Sequence, residues 1–115
     1  MLTRAIEYDV LPARLRRGMG VMTYSPLASG RLSGEYRKGR QVSGPGSAAR
    51  ARRFPVLYDA ADPANAAKLD AADALGALAD EAGITLIQVA IAFATRHPAV
   101  TSAIIGPHRT GRPGS

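Results

Sequence analysis

The chain has 115 residues, a formal charge of +6, no cysteine, and 46% hydrophobic residues. The missing thiols exclude a disulfide framework, a thiolate metal site and a cysteine nucleophile, and no run approaches the ~18 apolar residues of a membrane-crossing helix. No uninterrupted apolar stretch follows the first N-terminal charges, so a cytoplasmic protein without a membrane partner is expected.

In chain order, residues 4–17 (RAIEYDVLPARLRR) predict an extended start and a short helix from Pro12, because proline suits a first helical turn; Gly18 ends it. Met19 to Thr23 is a short apolar run with one β-branched valine, read as a buried strand. It opens into YSPLASGRLSGEY, a loop of hydroxyls, glycines and one arginine. A strand that delivers small polar residues and free backbone N–H groups to its C-terminal end is how a parallel α/β fold presents a phosphate site. Residues 24 to about 63 have little periodicity and include Pro26, Pro45, Pro55 and Pro63, a connection far longer than an ordinary loop. Within it, Arg37, Lys38, Arg40, Arg50, Arg52 and Arg53 meet no Asp or Glu between Tyr36 and Tyr58, among several glycines. This segment, about 36–58, reads as a flexible basic loop with Tyr36 and Tyr58 packed beneath it.

The second half is helical. From Asn65 to Ala82, Leu69, Ala72, Leu75 and Ala79 recur at three- and four-residue spacing, an amphipathic pattern. Gly83 followed by Ile84 fits its end, with glycine left-handed and the apolar residue folded back. Thr85 with Gln88 matches a capping box, which opens a helix through Leu86, Val89, Ala90 and Phe93 to about His97, before Pro98. Val100 to Ile105 is a second strand, followed by a turn at Gly106, Pro107, His108 and Arg109. His97, at a helix end, reads as a solvated cap. Alanine supplies much of the apolar content, with only two Phe and four Tyr, so a stand-alone core is marginal.

Helix, strand, long loop, two helices and strand is the order of consecutive units in a parallel α/β protein. Two short strands cannot make a parallel sheet buried on both faces, so the chain reads as a piece of something larger. MGVMTYSPLASGRLSGEYRKG, LADEAGITLIQVAIAFATRHPAV and the closing TSAIIGP resemble the C-terminal part of an aldo-keto reductase, and AIEYDVLPARLRRG resembles the approach to its seventh strand. The resemblance implies a fragment of an eight-stranded (β/α)8 TIM barrel over residues 1–107, two parallel strands with flanking helices and the long basic loop, then a disordered tail at 108–115. The implied activity is NADPH-dependent reduction of a small carbonyl compound, with no resident metal.

By that resemblance, Tyr24 stacks on the nicotinamide, and Ser25, Pro26, Leu27, Ala28 and Ser29 wrap the pyrophosphate. Gly106, His108 and Arg109 fall where the adenosine 2′-phosphate is held, a task suited to arginine's forked, permanent charge. Glu35 stands where the family often carries a basic residue, so Arg31 or Arg37 would substitute for it. The tail GPHRTGRPGS departs from the helix that the family places there, which puts His108 and Arg109 in doubt. The family's catalytic Asp, Tyr, Lys and His lie on earlier strands, and no residue here aligns with them. The chain alone is therefore expected to be inactive, with the missing N-terminal part of the barrel as its partner.

On the residues alone, Tyr24 is open to two readings, a rim aromatic or a stacking surface, and Ser25 and Ser29 to two, turn formers or phosphate ligands. The competing class is a nucleic-acid-binding module, since ALADEAGITLIQVAIAFATR has the outline of a helix-turn-helix. Its second helix, however, carries Leu86, Ile87, Val89, Ile91 and Phe93 on all sides, which suits a buried wall better than a DNA groove. A non-catalytic interaction subunit is the remaining alternative.

Overall fold

The computed structural model describes residues 1–35, 52–59 and 61–106. After a 3-10 turn at Ala5–Glu7, helix α1 spans Val10–Arg16 and strand β1 spans Val21–Tyr24. A second 3-10 turn, Ala28–Gly30, precedes the short helix α2 (Pro55–Tyr58), the long α3 (Pro63–Glu81), α4 (Leu86–Thr95) and strand β2 (Val100–Ile104).

The residues expected to start extended are helical from Val10, so Pro12 sits inside the first turn rather than opening it. The first-turn N–H groups have no intrahelical acceptor, so the ring costs nothing there. Gly18, at φ +63°, ends α1 while its own N–H and that of Met19 return to Leu15 and Arg14 carbonyls. Helix α3 begins two residues before the expected Asn65, because the Asp62 side chain caps it by accepting the Ala64 N–H at 2.9 Å. Its end follows the expected pattern: Gly83 lies at φ +70°, the Gly83 N–H reaches Asp80 and the Ile84 N–H reaches Ala79. The capping box is closed in both directions, with Thr85 N–H on Gln88 Oε1 at 2.8 Å and Gln88 N–H on Thr85 Oγ1 at 3.2 Å.

Strands β1 and β2 pair in parallel, Val21 opposite Val100, Met22 opposite Ser102, Thr23 opposite Ala103 and Tyr24 opposite Ile104. One face, Val21, Thr23, Val100 and Ala103, is half-buried; the other, Met22, Tyr24, Ser102 and Ile104, is exposed. Helix α4 packs against β2 and against α3, which meets it at a bend of 103°. The core gathers Leu32, Ala72, Leu86 and Ala90, with Leu2, Leu27, Ala28 and Leu75 packed around them. Small alanines let α3 and α4 close on each other, and Leu32, at 0% exposure, fills the space that remains.

The basic segment is a loop in sequence pattern, yet Pro55–Tyr58 forms helix α2, which corrects the reading of 36–58 as irregular throughout. Pro55 sits at the start of that helix, where its fixed φ favours helical geometry. The remaining expectations for this loop at 36–51, Tyr36 and Arg37 among them, and for the tail at 108–115 lie outside the described residues. Among the described residues, no single helix is long and apolar enough to cross a membrane.

Candidate functional site

Parallel strands present their C-terminal ends on one edge, and the pairing of Tyr24 with Ile104 brings the loop after β1 beside Gly106 after β2. Tyr24 closes β1 and is 84% exposed. The chain then turns sharply, with Ser25, Ala28 and Ser29 at φ between +50° and +60°. Three non-glycine residues in the left-handed region are costly unless their surroundings hold them, and such clusters mark functional loops.

The holding contacts are local. The Ser29 N–H donates to Ser25 Oγ at 2.8 Å, and the Ala28, Gly30 and Leu32 N–H groups donate to the carbonyls of Ser25, Leu27 and Leu27. The Arg31 and Ser33 N–H groups reach Ala28 and Gly30 carbonyls. From Ala28 to Ser33, every backbone N–H is thus bonded within the loop, where the sequence suggested free donors. Side-chain donors remain for a ligand. The Ser25 hydroxyl hydrogen and the Ser29 hydroxyl meet no partner among the described residues.

Leu27 and Ala28 are half-buried and pack against the Leu32 core, which anchors the loop. Pro26 is half-buried between them and Ser25. Gly106 is exposed just past β2, while His108 and Arg109 lie outside the described residues. His97 caps the turn into β2: its Nδ1 accepts the Ala99 N–H at 3.1 Å, and its carbonyl accepts the Val100 N–H.

Arg31 is half-buried, with its guanidinium 4.9 Å from the Tyr58 ring centroid. Its Nη2 donates to the Leu57 carbonyl and to Asn65 Oδ1. Nε and Nη1 have no acceptor among the described residues, and neither does the charge have a carboxylate partner there. Such a cation, fixed over an aromatic face and short of anions, is suited to a phosphate. Tyr58 also donates its hydroxyl to the Ser29 carbonyl at 2.6 Å. The sequence placed Tyr58 beneath the loop without identifying that acceptor. Asn65 and Leu32 carry no sequence signal for their roles, since one is an ordinary helix-start residue and the other a leucine among glycines and serines.

Comparison with known proteins adds identity to this geometry. Two relatives, each named "Probable voltage-gated potassium channel subunit beta", are similar to the chain. That from Arabidopsis thaliana is 38% identical over 108 residues, 90% of this chain and 30% of the relative. That from Oryza sativa subsp. japonica is 35% identical over 105 residues, 88% of this chain and 30% of the relative. The chain therefore spans about 30% of the length of these curated relatives. The model of the Aldo/keto reductase family matches residues 1–112, and the chain belongs to that family of oxidoreductases.

Proposed function

We propose that this chain is the cofactor edge of an NADPH-dependent aldo-keto reductase, the last two strands of a (β/α)8 barrel, and that a small aldehyde or ketone is its substrate in the complete protein. The observation that carries the reading is Tyr24, an exposed aromatic at the C-terminal end of β1, set beside a loop bearing Ser25, Ser29 and Arg31. This donor set fits a dinucleotide through its side chains: a flat ring for the nicotinamide, two hydroxyls, and one guanidinium without a carboxylate partner among the described residues, for phosphate oxygens. When bound, NADPH would supply the hydride. The chain's own residues bind and orient: Tyr24 fixes the ring plane, Ser25 and Ser29 donate to phosphate oxygens, and Arg31 balances their charge. Gly106 leaves room at the end of β2, with His108 and Arg109 assigned to the 2′-phosphate.

Protonating the product alkoxide requires a general acid, which this reading places in the part of the barrel outside the chain. NADPH titration by fluorescence should show saturable binding that Tyr24→Ala weakens about three- to tenfold, the worth of a stacked aromatic pair. The chain with an aldehyde should oxidise NADPH no faster than a blank. Turnover by the purified chain would refute the inactive half of the proposal, and NADPH binding unaltered in Tyr24→Ala would refute the site.

The names of the relatives support a second reading, a non-catalytic subunit in a channel assembly. Co-purification with a channel's cytoplasmic domain, undiminished by Tyr24→Ala, would favour it. The nucleic-acid reading gains nothing from the geometry, because α4 lays Leu86 and Ala90 into the core and packs against β2.

A further inference from the structure

Tyr58, Asn65 and Arg31 form a clasp that closes on the loop after β1. A four-residue helix leaves its final carbonyls without intrahelical donors, and here side chains from outside supply them. Asn65 Nδ2 donates to the Val56 carbonyl at 2.9 Å and to the Asp59 carbonyl at 3.1 Å, while Arg31 Nη2 takes the Leu57 carbonyl between them. Asn65 Oδ1 accepts from the same Nη2 at 3.3 Å, which ties the guanidinium to the first turn of α3. On the other side, the Tyr58 hydroxyl takes the Ser29 carbonyl. Ser29, at φ +60°, is thus gripped at both ends of its own peptide units, N–H by Ser25 and C=O by Tyr58.

We propose that Tyr58 and Asn65 are positioning residues for anion binding: they strap helix α2 over the loop, hold Ser29 in its left-handed conformation, and fix Arg31 through Nη2 so that its Nε and Nη1 donors are left for an anion. This deepens the cofactor reading and rests on it only for the identity of the anion. The clasp orders the loop before any ligand arrives, so the ordering entropy is not charged to binding. Loss of its Tyr58 or Asn65 contacts then weakens affinity without touching a ligand-contacting atom.

Two measurements on the whole chain test it. Limited trypsin digestion, with fragments identified by mass, reads cleavage after Arg31, and NADPH and inorganic pyrophosphate titrations read affinity. Tyr58→Phe keeps the ring and removes only the hydroxyl. It should raise cleavage after Arg31 about fivefold and weaken both ligands by a similar factor, the range of one lost hydrogen bond, while far-ultraviolet circular dichroism stays unchanged. Arg31→Lys, which keeps the charge and the tryptic site but loses the fork, gives the same cleavage readout if Tyr58→Phe fails to fold. Wild-type cleavage in whichever variant is folded overturns the clasp. Raised cleavage with unchanged affinity overturns the positioning role. Raised cleavage in a chain that binds neither NADPH nor pyrophosphate leaves the clasp standing and overturns the cofactor reading on which the affinity claim rests.

Discussion

Gly20 and Thr101 are matched across the two strands: a Cβ added to Gly20 would lie 2.6 Å from Thr101 Oγ1, the atom that accepts the Val21 N–H at 3.2 Å. Thr101 is the extra residue in β2 where the pairing shifts between Val21 and Met22. Its hydroxyl takes a donor that the shift would otherwise leave unpaired, and only a residue without a side chain fits beside it. Gly20→Ala should therefore cost about 1–3 kcal/mol in urea unfolding, by clash or by displacing the hydroxyl from Val21. Thr101→Ala in the same chain removes the clashing atom, so the double variant should be less destabilised than the sum of the two singles. Additive losses would show that the two residues act separately.

Leu32 is the only large side chain fully buried among the described residues, and it joins the candidate binding loop to α3 and α4. Leu32→Ala should lower stability by about 2–5 kcal/mol, the range for a leucine removed from a packed core. Amide exchange in Leu27 to Ser33 should rise more than in the Gly83 turn, because the loop loses its anchor. Uniform exchange across the chain would contradict this local role.

Gly83 ends α3 at φ +70° with open space around its Cβ position. Strain alone is then at issue, and Gly83→Ala should cost about 1 kcal/mol, whereas Gly83→Asn should cost less because asparagine tolerates the left-handed region. Thermal unfolding of both variants decides it. Equal losses would point to a steric cause.

Thr85→Ala removes one half of the reciprocal capping box and should cost about 1 kcal/mol. Circular dichroism of α4 should show fraying at its start, and Thr85→Ser should restore most of the loss. Failure of serine to rescue would mean that the methyl group, and not the hydroxyl, is needed.

Arg4 donates to both carboxylate oxygens of Glu7, at 2.8 to 3.1 Å, and this hydrogen bonding, opposed by some desolvation, holds the Glu7 carboxyl below its ordinary range. Because the folded value lies below the unfolded one, the stabilisation is fully present above the unfolded value and disappears as pH falls through the folded one. Arg4 is exposed and Glu7 only half-buried, so solvent screens the pair and the effect on stability is small. In a carboxyl-carbon NMR titration, Glu7 should titrate below the ordinary glutamate value, and Arg4→Gln should return it there. An unchanged midpoint would remove Arg4 as the cause.

Much of the secondary structure was legible because its signals are local. Gly18, Gly83 with Ile84, and Thr85 with Gln88 act on backbone groups three to five residues away, and the structure closes each of those bonds. The early start of α1 and the Asp62 cap were local too, yet the proline and the apolar stripe point to starts two residues too late. The resemblance in YSPLASG and IIGP reached the family. The loop's internal state was not legible, since nothing in the order of serines and glycines says that the N–H groups from Ala28 to Ser33 turn inward.

By itself, the sequence determined the stops of α1 and α3 at Gly18 and Gly83, the capping box that opens α4, the two β-rich runs and the family, because each is written in neighbouring residues or in a contiguous motif. Only the tertiary structure decided that Leu32 fills the space between α3 and α4, and that Arg31 is held by Leu57 and Asn65, 26 and 34 residues away. The reason is physical: a cap needs only the next turn of chain, whereas a clasp needs two helices already placed against each other before its donors and acceptors meet.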